Sequence, residues 1–566
     1  MAFDGITTKM VVSELNKNVI NSRVEKIYIP NHNEVWIYLH TQDRKNVRLL
    51  ISVDANNCRF HLSNESRNNP EKAPQFCMVL RKYLIGAKLI SITQIGLDRI
   101  VNFSFETIDD FGDVVKKTLI VELMGKYSNI ILSGDEKIID SIRRVDITMS
   151  SVREVLPSKK YVVPSSLGKY DFLSINEDEF VKIVSENILK SEFENVSLIN
   201  LLPALFVGFS KGFVQAICCN LLSVENESSK DSITAESLHI LYIKISEIIS
   251  EIELNKISLI TNETGKDYSI IECNGIQDVF SVSKFLDEFY SLKENASLLK
   301  SAKQNLKRDI NAHISKTTKK LTLVLKTLED EPDLEKYKQY GEIISSNIYK
   351  MQIGMDELVT ENFYNNNEQI SIPLQKNLTP SRNAQNYFKK YNKLKGSIAH
   401  AKEYKKSYEE ELDYLNSVLF EIDEATSIFE LDEIHEEIIN AGYSKKVYKK
   451  GKKKDEPSTP LSYDFNGIKI LVGRNNIQND RLTLKTARKN YTWLHTKNIH
   501  GSHVIIESEN VDDETLYYAA TLAKEHSNGK NSSKVEVDYT LVKYVHKESG
   551  AKPGMVVYTD YKTIIV

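Results

Sequence analysis

Two short clusters have residue types and spacings that could do chemistry. The first is Gly96-Leu97-Asp98-Arg99, which leads into the alternating run Ile100–Phe105. An arginine fork beside a carboxylate can read base edges, the fork taking guanine and the carboxylate an exocyclic amine, both accessible in a single-stranded loop. The same pair also ends many solvated surface strands, and both readings stand on the residues alone. The second cluster is Trp493-Leu494-His495 with Gly501-Ser502-His503. Adjacent strand residues point to opposite faces, and no third carboxylate is placed to orient an imidazole, so a serine nucleophile with a histidine base is disfavoured. Gly501 would instead permit a tight turn into Val504–Ile506, leaving Trp493, His495 and His503 as a polar or RNA-stacking face.

A third feature is charge without shape. Residues 445–454 hold seven lysines in ten positions, a run that cannot pack and reads as a linker. It is either simply solvated or, through residues such as Lys449, Lys450, Lys452 and Lys453, attracts phosphate. The sequence holds no GxxxxGK[ST] loop, no GxGxxG and no HExxH, and its one GxSxG, Gly208-Phe209-Ser210-Lys211-Gly212, falls between two helical runs rather than at the strand-to-helix turn of a nucleophile elbow. Cys58, Cys77, Cys218, Cys219 and Cys273 have neither CxxC nor zinc-finger spacing, so reduced, mostly buried thiols are expected, with no cofactor and no metal.

These clusters need elements to position them. Residues 1–170 read as mixed α and β, with strands expected at Arg23–Ile29, Val35–Leu39, Ile100–Phe105 and Thr118–Leu123, and helices at Thr8–Asn16 and Phe76–Leu84, the latter ended by Gly86. Residues 171–282 turn helical, with Val207-Gly208-Phe209-Ser210 between two apolar runs, either a helix-hairpin-helix turn or a plain αα-corner. Spacings mostly of three and four through Leu299, Leu306, Ile310, Ile314, Thr317, Leu321, Val324 and Leu328, and again through Tyr387, Tyr391, Leu394, Ile398, Ala401, Tyr404, Tyr408, Leu412, Leu415, Leu419 and Ile422, predict two long helices, at about 283–330 and 384–435. They should pair antiparallel and reach roughly 65–75 Å, with a small middle module at 335–383 at the hairpin tip. Residues 436–460 form the lysine-rich linker, and 461–566 alternate strands and helices as a separate α/β domain.

At 566 residues, 41% hydrophobic and 27% charged, the chain should hold several folded domains. Its net charge of −4 argues against a uniform nucleic-acid coat, but residues 441–566 hold 21 Lys+Arg against 14 Asp+Glu, +7, leaving −11 before them. No stretch reaches the ~18 apolar residues of a membrane span, and Met1-Ala2-Phe3-Asp4-Gly5 does not begin a secretion signal, so a soluble, cytoplasmic protein without membrane contact is expected.

Several runs carry a family resemblance. Met1–Gly5, Phe76–Lys82, Gly96–Arg99 and Glu122–Asn129 resemble an NFACT-N domain. Tyr340-Gly341-Glu342, Ile372-Pro373-Leu374 and Asn383–Phe388 resemble the same family's middle region, while Gly473-Arg474-Asn475, Trp493-Leu494-His495, Gly501–Val504 and Val537–Thr540 resemble its NFACT-R domain. In order and over nearly the whole chain, the sequence is similar to the RqcH/NEMF family of NFACT proteins, long labelled fibronectin-binding. The chain departs from the family pattern at Tyr491, where Asp usually precedes the tryptophan, at His500, where Pro precedes Gly-Ser-His, and at Pro157-Ser158 in place of Pro-Gly.

The resemblance implies a multidomain α+β protein: a glycosylase-like N-terminal domain, a helix-hairpin-helix domain, a coiled-coil hairpin and a C-terminal RNA-binding α/β domain. It also implies ribosome-associated quality control, in which the factor binds a large ribosomal subunit obstructed by peptidyl-tRNA, recruits tRNA(Ala) and drives untemplated alanine tailing. A small RNA-binding companion factor belongs to that picture. By the same resemblance tRNA binding falls on Asp4, Asp98 and Arg99, and rRNA or RNA contacts fall on Arg474, Trp493, His495, Lys497, His503 and the lysine run. Ala2 stands where glycosylases of this fold carry a catalytic proline, which implies binding without that chemistry and no enzyme activity of the chain's own. The rival readings are a fibronectin-binding surface adhesin and a nucleic-acid repair enzyme.

Overall fold

The computed structural model describes residues 3–109, 111–150, 152–166, 168–189, 195–221, 228–229, 233–254, 256–262, 265–272, 282–444 and 458–566. The chain divides into two compact units, Met1–Asn295 and Ala296–Val566.

In the first unit Asp4 caps α1 (Gly5–Asn18), its carboxylate accepting from the Thr7 amide. The alternating segments become β1 (Arg23–Tyr28), β2 (Glu34–His40), β6 (Ile100–Ile108) and β7 (Val114–Glu122), joined by β3 (Asn46–Ser52), β4 (Arg59–Leu62), β5 (Lys88–Gln94), β8 (Asn129–Gly134) and β9 (Lys137–Ser141). These nine strands form one sheet, every neighbouring pair antiparallel, in the order β4-β3-β2-β1-β5-β6-β7-β8-β9. Although β3 and β9 lie far apart in that order, Arg143 after β9 donates to Val53 O after β3 (2.9 Å) and to Asn33 Oδ1 (2.7 Å), so the sheet curls back on itself. The expected helix α2 (Gln75–Leu84) packs on β1 and is followed by Gly86 at φ +80°, which an L side chain rarely adopts.

Beyond the sheet the first unit is mainly helical, with α3 (Glu177–Leu189), α4 (Leu198–Leu205), α5 (Lys211–Leu221) and α6 (Ala235–Glu253). Phe172, Phe180, Phe206 and Phe209 from this region pack ring against ring in a core continuous with that of the sheet. The first turns of α7 (Val282–Glu329) are fastened to β4 and the segment after it: Asp287 accepts from Ser63 Oγ and the Asn64 amide, and Glu294 pairs with Arg59 at 2.6 Å.

In the second unit α7 and the following α8 (Pro332–Ser346) run antiparallel to α9 (Pro380–Glu424). The register is visible in successive contacts: Ile310 packs with Tyr414 and Leu415, Lys320 lies over Tyr408, Glu331 pairs with Lys402, and Tyr340 meets Tyr387 edge-on. At 1.5 Å per residue the 48 residues of α7 span about 72 Å. The two-stranded ladder of Glu357–Asn362 with Glu368–Pro373 lies between α8 and α9 in the chain. The periodic run expected to continue to 435 is interrupted. α9 stops at Glu424 and α10 (Ile428–Asn440) starts afresh, because Ser427 caps it, accepting from the Glu430 amide, while the Glu430 carboxylate reaches back to the Thr426 amide.

The last hundred residues form a six-stranded sheet flanked by α12 (Asp513–Glu525). They rest on α9 and α10 through polar contacts: Arg474 pairs with Glu430, Asn475 donates to Glu433 (3.0 Å), Asn476 to Glu437 (3.3 Å) and Ser417 (3.2 Å), Lys530 pairs with Glu424, and His500 faces Asp413. At the centre of this contact lie two carboxylates, Glu421 (4% exposed) and Glu437 (1%), each with one oxygen lacking any partner. Tyr414 donates to Glu437 at 2.8 Å, Asp480 and Lys547 face it from the sheet side, and Lys552 stacks on Tyr414. Among the described residues no helix is long and apolar enough to cross a membrane.

Burial pushes both carboxyls up, Glu437 to about 7 and Glu421 well above the ordinary carboxylate range. The folded chain therefore holds protons that the unfolded chain releases near 4.5, and the stabilisation is full below that pH and lost as pH rises through about 7. Glu437→Gln keeps the acceptor for Tyr414 without the charge. At pH 8 it should raise the thermal midpoint of the second unit, by the equivalent of roughly 1–3 kcal/mol, and at pH 4, below the value of the unfolded carboxyl, the gain should all but vanish; an equal gain at both pH values would disprove the proton linkage.

Candidate nucleic-acid interface

The Asp98–Arg99 turn is built by backbone from three distant segments. Gly5 at the start of α1 donates its amide to Gly208 O (2.8 Å), and both glycines press on the Leu97 carbonyl. A Cβ added at Gly5 would stand 2.0 Å from Leu97 O, and one at Gly208, whose φ is +80°, would stand 1.9 Å from it. Gln94 Nε2 fastens the turn from below, donating to Gly5 O (3.0 Å) and Asp98 O (2.8 Å). Asp98 and Arg99 are half-buried; Asp98 Oδ1 accepts from the Arg99 amide (2.7 Å), and Arg99 O accepts from the Leu123 amide (3.0 Å). Glu122, immediately before Leu123, is fully buried between the Arg153 guanidinium and the Tyr161 hydroxyl, which secures the strand end behind the turn.

Asp4, expected to touch tRNA, is 9% exposed, and its carboxylate oxygens have protein partners. One accepts from Thr7 and the other from the Ser210 hydroxyl, which itself caps α5 by accepting from the Phe213 amide (3.1 Å). Two helix N-termini thus share one hydrogen-bonded pair of capping side chains. Burial raises the Asp4 carboxyl above its ordinary range, opposed by the bonds from Ser210 and Thr7 and by the nearby Arg99 charge. Ser210, Gly208 and Gln94 were not singled out as site residues; only the turn holding Gly208 and Ser210 was visible in sequence.

The C-terminal candidates are distributed differently from expectation. The strand Thr492–Thr496 lies inside its sheet, paired with Val504–Ile506 and Glu536–Leu541. Leu494 on one face packs toward α12, while Trp493 on the other packs with Leu471, Leu482, Ile505, Val542 and Val545. Trp493 is 0% exposed, stacked against His495, tilted against Tyr558 and edge-on to His503. The expected RNA-stacking face is corrected accordingly for Trp493 and His503, because a second layer of chain covers that side of the sheet. Desolvation lowers His503 to about 3 and His495 to about 4, so both rings are neutral at pH 7, and His503 is joined to Thr483 Oγ1 at 2.8 Å. Arg474 is paired to Glu430 and Lys497 to Glu536 (3.1 Å). Lys449, Lys450, Lys452 and Lys453 lie outside the described residues. Among the described residues no group of three or more His, Cys, Asp or Glu is placed to hold a metal.

What the geometry supplies is held donors, acceptors and charge. Residues 4–457 match the family of NFACT N-terminal and middle domains, and residues 465–553 match the NFACT protein RNA binding domain. The Rqc2 homolog RqcH of Bacillus subtilis is 34% identical over 578 residues, covering 100% of this chain and 98% of that one. The human ribosome quality control complex subunit NEMF is 31% identical over 160 residues, 27% of this chain and 14% of that one. A solved N-terminal part of a fibronectin/fibrinogen-binding protein from Streptococcus suis is 26% identical with a TM-score of 0.41, covering 51% of this chain and 99% of that one. The chain belongs to the RqcH/NEMF family of NFACT proteins.

Two substitutions separate held backbone from exposed surface. Gly208→Ala must leave the left-handed region or displace Leu97 O and should cost at least about 2 kcal/mol in chemical unfolding of the first unit. Trp493→Ala should cost about 3–5 kcal/mol in the second, as a buried aromatic does, whereas a surface-stacking residue would leave the melting curve unchanged.

Proposed function

We propose that the chain is a ribosome-associated quality control factor. It binds a large ribosomal subunit obstructed by peptidyl-tRNA, recruits tRNA(Ala) and promotes untemplated C-terminal alanine tailing that marks the stalled chain for degradation. Family membership supports the setting, and the observation that carries the reading is the Asp98–Arg99 turn, held by backbone contacts yet left half-buried at the surface. A carboxylate and a guanidinium on a rigid turn suit the base edges of an unstacked loop, as in an anticodon. Asp4 acts behind the turn, through the Ser210 bond and its proximity to Arg99, rather than on RNA. Peptide-bond formation falls to the ribosome's own RNA, and this chain's part is positioning.

Sequencing the RNA that copurifies with the chain tests this. Large-subunit RNA and one enriched tRNA are expected, and an RNA-free preparation at low salt would refute the reading. Asp98→Ala with Arg99→Ala should lose the tRNA and the alanine tails in cells while keeping large-subunit RNA and the melting temperature. Tailing at the unsubstituted level would remove the pair from the site.

A further inference from the structure

Of the cations expected to meet RNA in the C-terminal domain, Arg474 and Lys497 are neutralised by carboxylates, as are Lys530 and Lys547. A different set remains. From Arg481 through Ile506 the chain contains no Asp or Glu, and Arg481, Lys485, Arg488 and Lys489 fall in its first nine residues. Arg481 ends α11 (Asn476–Arg481), and a single π-helical turn, Leu482–Thr486, follows, which places Lys485 about one turn beyond it. Leu482 and Thr483 are buried and anchor that turn, while all four cations are exposed.

Lys543 joins them from a distant part of the sequence, its amide donating to Lys489 O at 3.0 Å. Two aromatic rings lie beneath the group, Tyr491 under Arg488 (5.8 Å) and Tyr544 under Lys543 (4.7 Å). Among the described residues none of the five cations is in an ion pair. The acids bordering the group are engaged elsewhere: Asp480 pairs with Lys547 and accepts from the Gly554 amide, and Glu509 accepts from Asn490.

We propose that this face, Arg481, Lys485, Arg488, Lys489 and Lys543, is the surface on which the C-terminal domain grips the phosphate backbone of RNA. A cation already paired to a carboxylate releases little counterion on meeting phosphate, whereas an unpaired one contributes its full share. A rigid turn carrying several unpaired charges fits a phosphate track, and the stretch between Arg481 and Lys489 offers no carboxylate or aromatic to read bases. The inference rests on the RNA-binding reading above and locates it.

The test uses the full chain and a labelled poly(U) strand, with affinity measured by fluorescence anisotropy across a salt series. Lys485→Gln, Arg488→Gln and Lys489→Gln together should lower the slope of log affinity against log salt by about 2, near 0.7 per lost single-strand contact. Lys543→Gln, on a separate segment, should lower it by about 0.7. The charge-preserving set Lys485→Arg, Arg488→Lys, Lys489→Arg should retain the original slope. If the unsubstituted chain binds with a steep slope that the glutamine variants retain, the patch is wrong and the RNA reading survives. If the unsubstituted chain shows no salt-dependent binding, both fall.

Discussion

One backbone contact governs the first unit: the carbonyl of Leu97 occupies the space where side chains at positions 5 and 208 would begin. Three segments far apart in the chain can meet there only because two of them are glycine, and a contact between main chains has no rotamers through which to relax. The consequences extend outward from that point. α1 must start at Gly5, so its capping carboxylate is carried into the interior, and α5 must start close enough for Ser210 to supply the second donor that this carboxylate requires. The turn presenting Asp98 and Arg99 inherits this rigidity. A turn ordered in advance bears none of the ordering cost that a free loop would pay on meeting a partner.

The second unit obeys a different constraint, a sheet covered on both faces. α12 shields one side, and the segments around Leu482 and Val542–Tyr558 shield the other. Residues that would decorate an open sheet therefore become its filling. Trp493 loses all exposure, and the histidines beside it are held neutral by loss of water. Charge cannot enter such a layer without a partner, so the domain's cations are confined to its rim and to its contact with α9 and α10. Arg474 and Lys530 serve that contact, where they face Glu430 and Glu424 across it.

What was legible in the sequence was whatever depends on neighbours in the chain. Alternation located β1, β2, β6 and β7, the three-and-four spacing located α7 to within a residue or two, and Gly86 marked the end of α2. Legibility ended where partners are remote. Asp4 and Ser210 are separated by 206 positions, and nothing local says that a capping serine will also meet a carboxylate. The burial of Trp493 was hidden for the same reason: its cover includes Val542, Val545 and Tyr558, and the short ladder of Val545–His546 with Val557–Tyr558 is too brief to show periodicity. The break between α9 and α10 was the exception, since Ser427 and Glu430 have the spacing of a capping box and could have been read locally.

Charge shows the same limit most clearly. A total of −4 describes neither end of the chain, and even the +7 of residues 441–566 sums cations with opposite fates. What matters for a polyanion is how many positive groups the fold leaves without a carboxylate, and that number is settled by tertiary neighbours. Arg474 and Arg488 are indistinguishable as letters, but one lies against Glu430 and the other over a tyrosine ring, in no ion pair among the described residues. Folding therefore sorts a diffuse positive balance into internal fasteners and an outward patch. The attraction for RNA follows from the second group, however the whole chain sums.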